Sequence, residues 1–294
     1  MAVSAVSQRR REKLLASWHE FSSNRGGLAG LVLLVVVLLL ALLAPLIAPA
    51  EMLDVTRVTA TSNAPPSADH LLGTDPLGRD MLALLLWGAR VSLLVGLTAT
   101  AMSVTIGTTV GMLAGHFGGL TQQVLLRVID FFIVIPSLVL AITLSTVLSR
   151  GVVTIIIAIG VTSWAGTARV VRSQTLTIEA RPYVERAQAL GAGHAHLLTW
   201  HVLPAVMPLV LANTTLAVGS AIIAESTLSF LGLGDPNTVS WGSLLKTALD
   251  TGSATAGYWW FVLPPGIAIV LVVLCFTLVG RALEAVVNPA LRGR

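Results

Sequence analysis

The chain has 294 residues, of which 55% are hydrophobic and only 11% charged, where soluble domains carry about 25% charged residues. A mean hydropathy of +0.85 excludes an ordinary soluble domain. The net charge of +4 resides on arginines that flank apolar runs, with no basic face interleaved with aromatics, which excludes a nucleic-acid partner, and the single cysteine, Cys275, excludes an intrachain disulfide and a cysteine metal cluster.

In chain order, residues 1–27 read as a cytoplasmic tail. Leu14, Leu15, Trp18 and Phe21 share one helical face, with Arg10, Arg11, Lys13 and Glu20 around the rest. This suits an interfacial helix lying on the lipid bilayer; a floppy basic tail is the other reading. Residues 28–50 are uncharged and long enough for a first transmembrane helix. Ala48-Pro49-Ala50 resembles a signal-peptide cleavage site, but the run exceeds the roughly 7–15 residues of a signal core and further spans follow. Residues 51–88 form an extracytoplasmic loop rich in turn formers, among them Pro65, Pro66, Asp75-Pro76 and Gly78. Within it, Asp80 to Trp87 reads as a short surface helix, cut by Gly88 and Arg90 from a second span over Ala89 to Ala114.

Four more spans are expected at 128–148, 152–171, 202–225 and 261–283, so that residues 89–284 make a five-helix core. A cytoplasmic loop, 173–201, and an extracytoplasmic loop, 226–260, interrupt it, and 285–294 is a second cytoplasmic tail. Helices are required because lipid offers no partner to backbone N–H and C=O groups. The expected fold class is therefore all-α, a polytopic membrane protein with six transmembrane helices and an N-terminal interfacial helix. With the N-terminus in the cytoplasm, thirteen of the 18 Lys and Arg lie on that side, as membrane topology demands. Gly107, Gly111 and Gly115 put small residues on one face of the second span, where another helix can approach closely; ordinary glycine abundance is the alternative. Trp259 and Trp260 suit an interfacial aromatic belt.

Several chemistries are missing. A Walker A loop ends in Gly-Lys-Ser/Thr, but neither lysine, Lys13 or Lys246, follows a glycine. No zinc-protease motif and no serine-hydrolase elbow occurs, and no catalytic, cofactor-binding or metal residue is assigned. His194, His196 and His201 lie close in sequence, with Glu185 the one nearby acid; packed or solvated histidines are preferred over a metal site. Ion-driven transporters place charges at mid-span, whereas Asp130, Arg169 and Glu225 fall near span ends.

The loop 173–201 is the most informative stretch. Tyr183, Val184, Ala187 and Leu190 make an apolar stripe at helical spacing, Glu185, Arg186 and Gln188 lie on other faces, and Gly191 and Gly193 admit a sharp turn. A second short helix is expected up to Pro204. Two such helices form a knob suited to a partner's groove; a helical connector without a partner is the other reading. Outside, Ser229 to Gly234 is apolar but too short to span; it dips into the membrane mouth, packs beneath a docked protein, or is a plain packed loop.

Glu185, Ala187, Gly191, Leu203 and Pro204 match in register the Glu-Ala-Ala coupling loop of ATP-binding-cassette importer permeases, with Arg186 and His201 departing from it. His70-Leu-Leu-Gly-Thr-Asp-Pro-Leu-Gly-Arg-Asp80, Gly88-Ala-Arg-Val-Ser-Leu-Leu-Val-Gly96 and Glu225-Ser-Thr-Leu-Ser-Phe-Leu-Gly-Leu-Gly234 resemble the dipeptide/oligopeptide/nickel permease family, in its DppC/OppC branch. The resemblance implies a type I importer transmembrane domain. It implies an ATPase-coupling surface comprising Tyr183, Glu185, Ala187, Leu190, Gly191, His194, Leu197, Leu203 and Pro204. It also implies pore or binding-protein contacts at Glu225, Ser229, Phe230 and Leu231. The implied partners are a second homologous permease, cytoplasmic ATPase subunits holding ATP and Mg2+, and an extracytoplasmic substrate-binding protein. Peptides are the implied cargo, with nickel or other small solutes as alternatives; a channel or secondary transporter is the reading that needs no ATPase.

Overall fold

The computed structural model describes Leu15 and residues 18–287; Leu14, Arg10, Arg11 and Lys13 of the expected interfacial helix lie outside them. Residues 18–23 are helical, with Phe21 buried against Val279 and Ala282, while Trp18 stacks on Phe21 and stays exposed. Helix α1, Arg25–Ile47, begins where the Asn24 side chain accepts from Gly27 N at 2.9 Å. Its 23 residues extend about 34 Å at 1.5 Å per residue, which matches a bilayer core of about 30 Å.

The next crossing differs from expectation. Helix α2, Met81–His116, is continuous over 36 residues, so the supposed surface helix and the second span are one element and the loop before it ends at Asp80. Gly88 does not break it. A Cβ there would sit 3.0 Å from the Trp241 ring, so the glycine serves a close crossing. The loop before α2 folds on itself. Buried Asp75 accepts from Arg79 Nε and from the Leu77 and Arg79 amides, and Asp80 caps α2 while its other oxygen meets His70 Nδ1 at 2.8 Å.

Helices α3, Gly119–Val134, and α4, Ser137–Val147, replace the single span expected over 128–148 and are bent by 88°. Pro136 is the cause: its ring forces Ile135 into extended backbone and it offers no N–H. Helices α5, Val152–Thr162, and α6, Trp164–Glu179, form one kinked crossing that runs past the expected end at Val171. After α7, Pro182–Ala189, a single helix α8 runs from His194 to Phe230. The separate helix expected to stop at Pro204 is its first part. Pro204 has no N–H for the Trp200 carbonyl, and the helix widens over Leu197–Val202 so that Leu203 N pairs with Leu198 O. Helices α9, Trp241–Asp250, and α10, Trp259–Val287, complete the chain.

Five of these crossings are long and apolar enough for a membrane, and the bent α3–α4 pair makes a sixth if counted as one span. The chain is an all-α polytopic membrane protein. Helix α2 is central, packed on α5, α6 and α8; α8 carries α10, and α10 carries α1. The glycine face is used: Cβ atoms at 107, 111 and 115 would lie 2.7, 2.5 and 2.8 Å from atoms of α6. Trp87 Nε1 donates to Ala48 O at 2.9 Å, so one end of the bundle holds Trp87 and the other holds Arg25. Two clefts beside α1, against α10 and α2, are almost wholly apolar-lined, as a lipid-facing side requires.

Candidate functional site

The loop between α6 and α8 forms a knob at the Arg25 end. Pro182 starts α7, where its missing N–H costs nothing. Gly191 ends it at φ +87°, with Gly191 N donating to Gln188 O at 2.9 Å and Ala192 N to Ala187 O at 3.0 Å. That pair of bonds is a Schellman cap, which needs the left-handed conformation that glycine adopts without strain. The apolar stripe expected along α7 divides. Val184 is fully buried with Leu197, Val202 and Val206, and Ala187 packs beside them. Leu190 and Tyr183 face outward at 89% and 44% exposure, joined by Trp200 at 72%. Glu185, His194 and Pro204 are exposed, and Leu203 is half-buried. Leu197 thus anchors the knob, while Tyr183, Leu190 and Trp200 remain exposed on it.

A hydrogen-bonded chain fastens the knob to the bundle. His116, at the end of α2, binds the Glu179 carboxylate through Nδ1 and meets His194 Nδ1 at 2.8 Å through Nε2, with Phe117 against both rings. His194 therefore turns away from His196 and His201, whose rings lie 5.5 Å apart. No sequence motif links His116, Glu179 and His194, since each sits alone at a helix end. Trp200 was equally hidden, because an aromatic near a span reads as an interfacial anchor.

At the Trp87 end, Glu225 and Ser229 are buried within this chain. Glu225 is 1% exposed. Its carboxylate accepts from Ser92 and Ser229 hydroxyls at 2.8 Å each and from Ser226 at 3.3 Å, and Ser92 Oγ in turn accepts from Trp241 N. The cluster joins α2, α8 and α9, and in such a site a carboxylate is tolerated because hydroxyls replace water. Ser229 to Gly234 does not dip as a separate segment: it is the capped end of α8, with Gly232 N on Ser229 O and Leu233 N on Leu228 O. Phe230 and Leu231 are exposed beside it.

A third cavity, of about 430 Å³, opens between α2, α4, α5, α6 and α8, and it differs from the apolar clefts in setting hydroxyl and amide groups among its aliphatic side chains.

The sequence matches two family models. Residues 107–293 match the binding-protein-dependent transport system inner membrane component, and residues 15–66 match the N-terminal TM domain of oligopeptide transport permease C. The dipeptide transport system permease protein DppC of Bacillus subtilis (strain 168) is 36% identical over 94% of this chain and 85% of its own length. The oligopeptide transport system permease protein OppC of the same organism is 36% identical over 96% and 92%. The di/tripeptide transport system permease protein DppC of Pseudomonas aeruginosa (strain UCBPP-PA14) is 36% identical over 94% and 91%. Among solved structures, the MetNI methionine ABC transporter in inward-facing conformations superposes with a TM-score of 0.55 at 19% identity, covering 70% of this chain and 97% of that one. At that identity the likeness concerns the fold.

Proposed function

The chain belongs to the binding-protein-dependent transport permeases, in the branch of DppC and OppC, and on that premise we propose that it forms half of the translocation pathway of an ATP-driven importer of short peptides. The knob carries the reading: Tyr183, Leu190 and Trp200 expose apolar side chains on a structure anchored by buried Val184 and Leu197. Exposed apolar side chains on short helices are the kind of surface that docks in a partner's groove. The partners are cytoplasmic ATPase subunits that hold ATP and Mg2+; a second, similar permease supplies the other half of the pathway, and an extracytoplasmic binding protein delivers cargo. The knob and both termini then face the cytoplasm, in line with the excess of Lys and Arg at that end. This chain is a non-catalytic subunit. It acts by favouring one of two pore states according to what binds the knob, because only differential binding shifts such an equilibrium.

The test is uncoupling. Gly191→Pro removes the N–H on Gln188 O and cannot adopt a positive φ, and Ala187→Asp sets a carboxylate beside Val184. In the reconstituted complex each variant lowers ATP-dependent peptide uptake by about tenfold or more while ATP hydrolysis persists, the scale of one ordinary coupling free energy. Uptake at the wild-type rate with both variants refutes the assignment.

A further inference from the structure

The cavity between α2, α4, α5, α6 and α8 is the part of the molecule whose lining is at odds with its surroundings. It lies deep: Thr100 and Ser103 are roughly 20–24 Å along α2 from Trp87 at about 1.5 Å per residue. At that level α1 and α10 present almost nothing but aliphatic side chains to their own clefts. Here the wall carries Ser103, Ser137, Ser163, Thr167, Asn213 and Ser220 among alanines, Gly166 and the aliphatic Ile159, Val170 and Leu216. Ser137, Ser163, Gly166 and Ser220 are exposed. The Asn213 amide reaches one hydroxyl, Thr167 Oγ1, at a long 3.4 Å. Hydroxyls and amides at membrane depth are costly against lipid and are tolerated where they line a water-filled space or meet another protein.

The composition of the wall carries the argument further. No lining residue bears a carboxylate, an imidazole, a thiol, an ammonium or a guanidinium. The nearest buried acid, Glu225, follows the lining residue Ala224 but has its oxygens occupied by Ser92, Ser226 and Ser229. A wall of this kind gives a bare transition-metal ion none of the nitrogen or sulfur ligands it prefers. It also sets no fixed charge against either sign of side chain. It does offer hydroxyl donors and acceptors and amide groups at several heights, which is what a solvated peptide backbone exchanges hydrogen bonds with.

We propose that this cavity is the chain's share of the translocation path, and that it conducts hydrogen-bonding, peptide-like solutes without discriminating by charge. The inference rests on the importer reading and specifies its cargo surface. Half of the path is thereby charge-blind, and any preference for acidic or basic peptides arises outside this wall.

Ser220→Cys supplies the test, because charge can then be added after assembly. The native thiol, Cys275, is 1% exposed and sits across the bundle beside α1, so labelling by a methanethiosulfonate reagent beyond that of the unsubstituted complex reports position 220. The assembled, reconstituted complex is treated with either a trimethylammonium or a sulfonate reagent. Uptake of a lysine-containing tripeptide, a glutamate-containing tripeptide and trialanine is then compared. Labelling of Ser220→Cys is expected, and excess trialanine slows it. The cationic adduct lowers lysine-peptide uptake relative to glutamate-peptide uptake, and the anionic adduct does the reverse. A unit charge about 7 Å away in a water-filled path changes each rate about threefold. Failure to label in the assembled complex means that the wall is covered by another subunit, and equal slowing of all peptides by both adducts means that it is not the path; either overturns the inference. If the untreated wild-type complex takes up none of the three peptides with ATP, the importer reading itself has failed, which is a separate result.

Discussion

Replacing Gly111 by alanine tests the packing on which the bundle is built. A Cβ at 111 would lie 2.5 Å from Ala168 O, 2.9 Å from Val171 Cβ and 3.1 Å from Ala168 Cα. Two of these three are backbone atoms in the middle of α6, so no side-chain rotation relieves them. A methyl carbon needs about 3.3 Å from a carbonyl oxygen, so α2 and α6 must part by roughly 0.8 Å. A gap of about 0.5–1 Å forfeits a quarter to a half of each dispersion contact across it, and here the seam includes the neighbouring crossings at Gly107 and Gly115. Overpacking of this kind costs about 1–3 kcal/mol, offset by roughly 0.5–1 kcal/mol from the better helix propensity of alanine. A net loss of about 1 kcal/mol is expected, and Gly111→Val, with two more carbons, loses more. Gly266 in α10 provides the control, since a Cβ there meets nothing within 4 Å; Gly266→Ala keeps or raises stability. Thermal unfolding of the purified complex, followed by tryptophan fluorescence, measures both, and Trp164 reports from within the seam. At about 2–4 °C per kcal/mol for a chain of this size, Gly111→Ala melts a few degrees below wild type. A melting temperature equal to that of Gly266→Ala refutes the reasoning.

Two further outcomes follow from the clamps at the ends of the bundle. Glu225→Ala leaves the buried Ser92, Ser226 and Ser229 hydroxyls without their acceptor. At about 1–3 kcal/mol for each unsatisfied group, it destabilises by about 3 kcal/mol or more. Glu225→Gln, which keeps an acceptor oxygen, melts between Glu225→Ala and wild type, and an order reversed in the same assay contradicts the clamp. His116→Ala severs the link from α2 to Glu179 and His194. Loss of about 1 kcal/mol of local stability makes the knob open about fivefold more often, so trypsin cleaves after exposed Arg186 faster by that factor; unchanged cleavage contradicts the link.

Much of the architecture is legible in the residues themselves. The uncharged run of α1 can only span, and the 107/111/115 spacing announces a close helix crossing because its period is nearly that of the helix. The knob is visible through the apolar stripe of Tyr183, Val184, Ala187 and Leu190 at helical spacing and the turn that Gly191 and Gly193 admit. The misreadings have a common physical origin. Gly88 and Pro204 read as stops on local propensity, but tertiary packing against Trp241 and a widened turn carry the helix through both. At Pro136 the opposite holds: an apolar run suggests continuity and a missing N–H breaks it. The polar clamps were illegible because their members are distant in the chain, Ser92 from Glu225 and His116 from His194. Nothing local distinguishes a buried carboxylate with three hydroxyl donors from one that faces a pore. The cavity wall was hidden for the same reason, since scattered serines in apolar helices declare a shared face only when the helices are assembled.

The two clamps constrain how force can pass through the molecule. Helix α8 begins at the knob and reaches the far end, and α2 runs beside it in the opposite sense. At the knob, His194 on α8 is held by His116 on α2; at the far end, Glu225 on α8 is held by Ser92 on α2, each at 2.8 Å. Sliding α8 along α2 by even one residue, about 1.5 Å, breaks both bonds and takes from the buried carboxylate its one donor on α2, at about 1–3 kcal/mol for each group left unsatisfied. Moving α2, α6 and α8 together breaks neither. A push on the knob is therefore resolved most cheaply as rotation of the whole bundle, with its cavity wall intact. Compliance is confined to the widened turn at Leu197–Val202 and to the kink at Ser163, between α5 and α6. Alternating access, on the importer reading, then arises between this chain and its facing partner rather than within it. The charge-blind wall is carried from one side of the membrane to the other as a rigid surface.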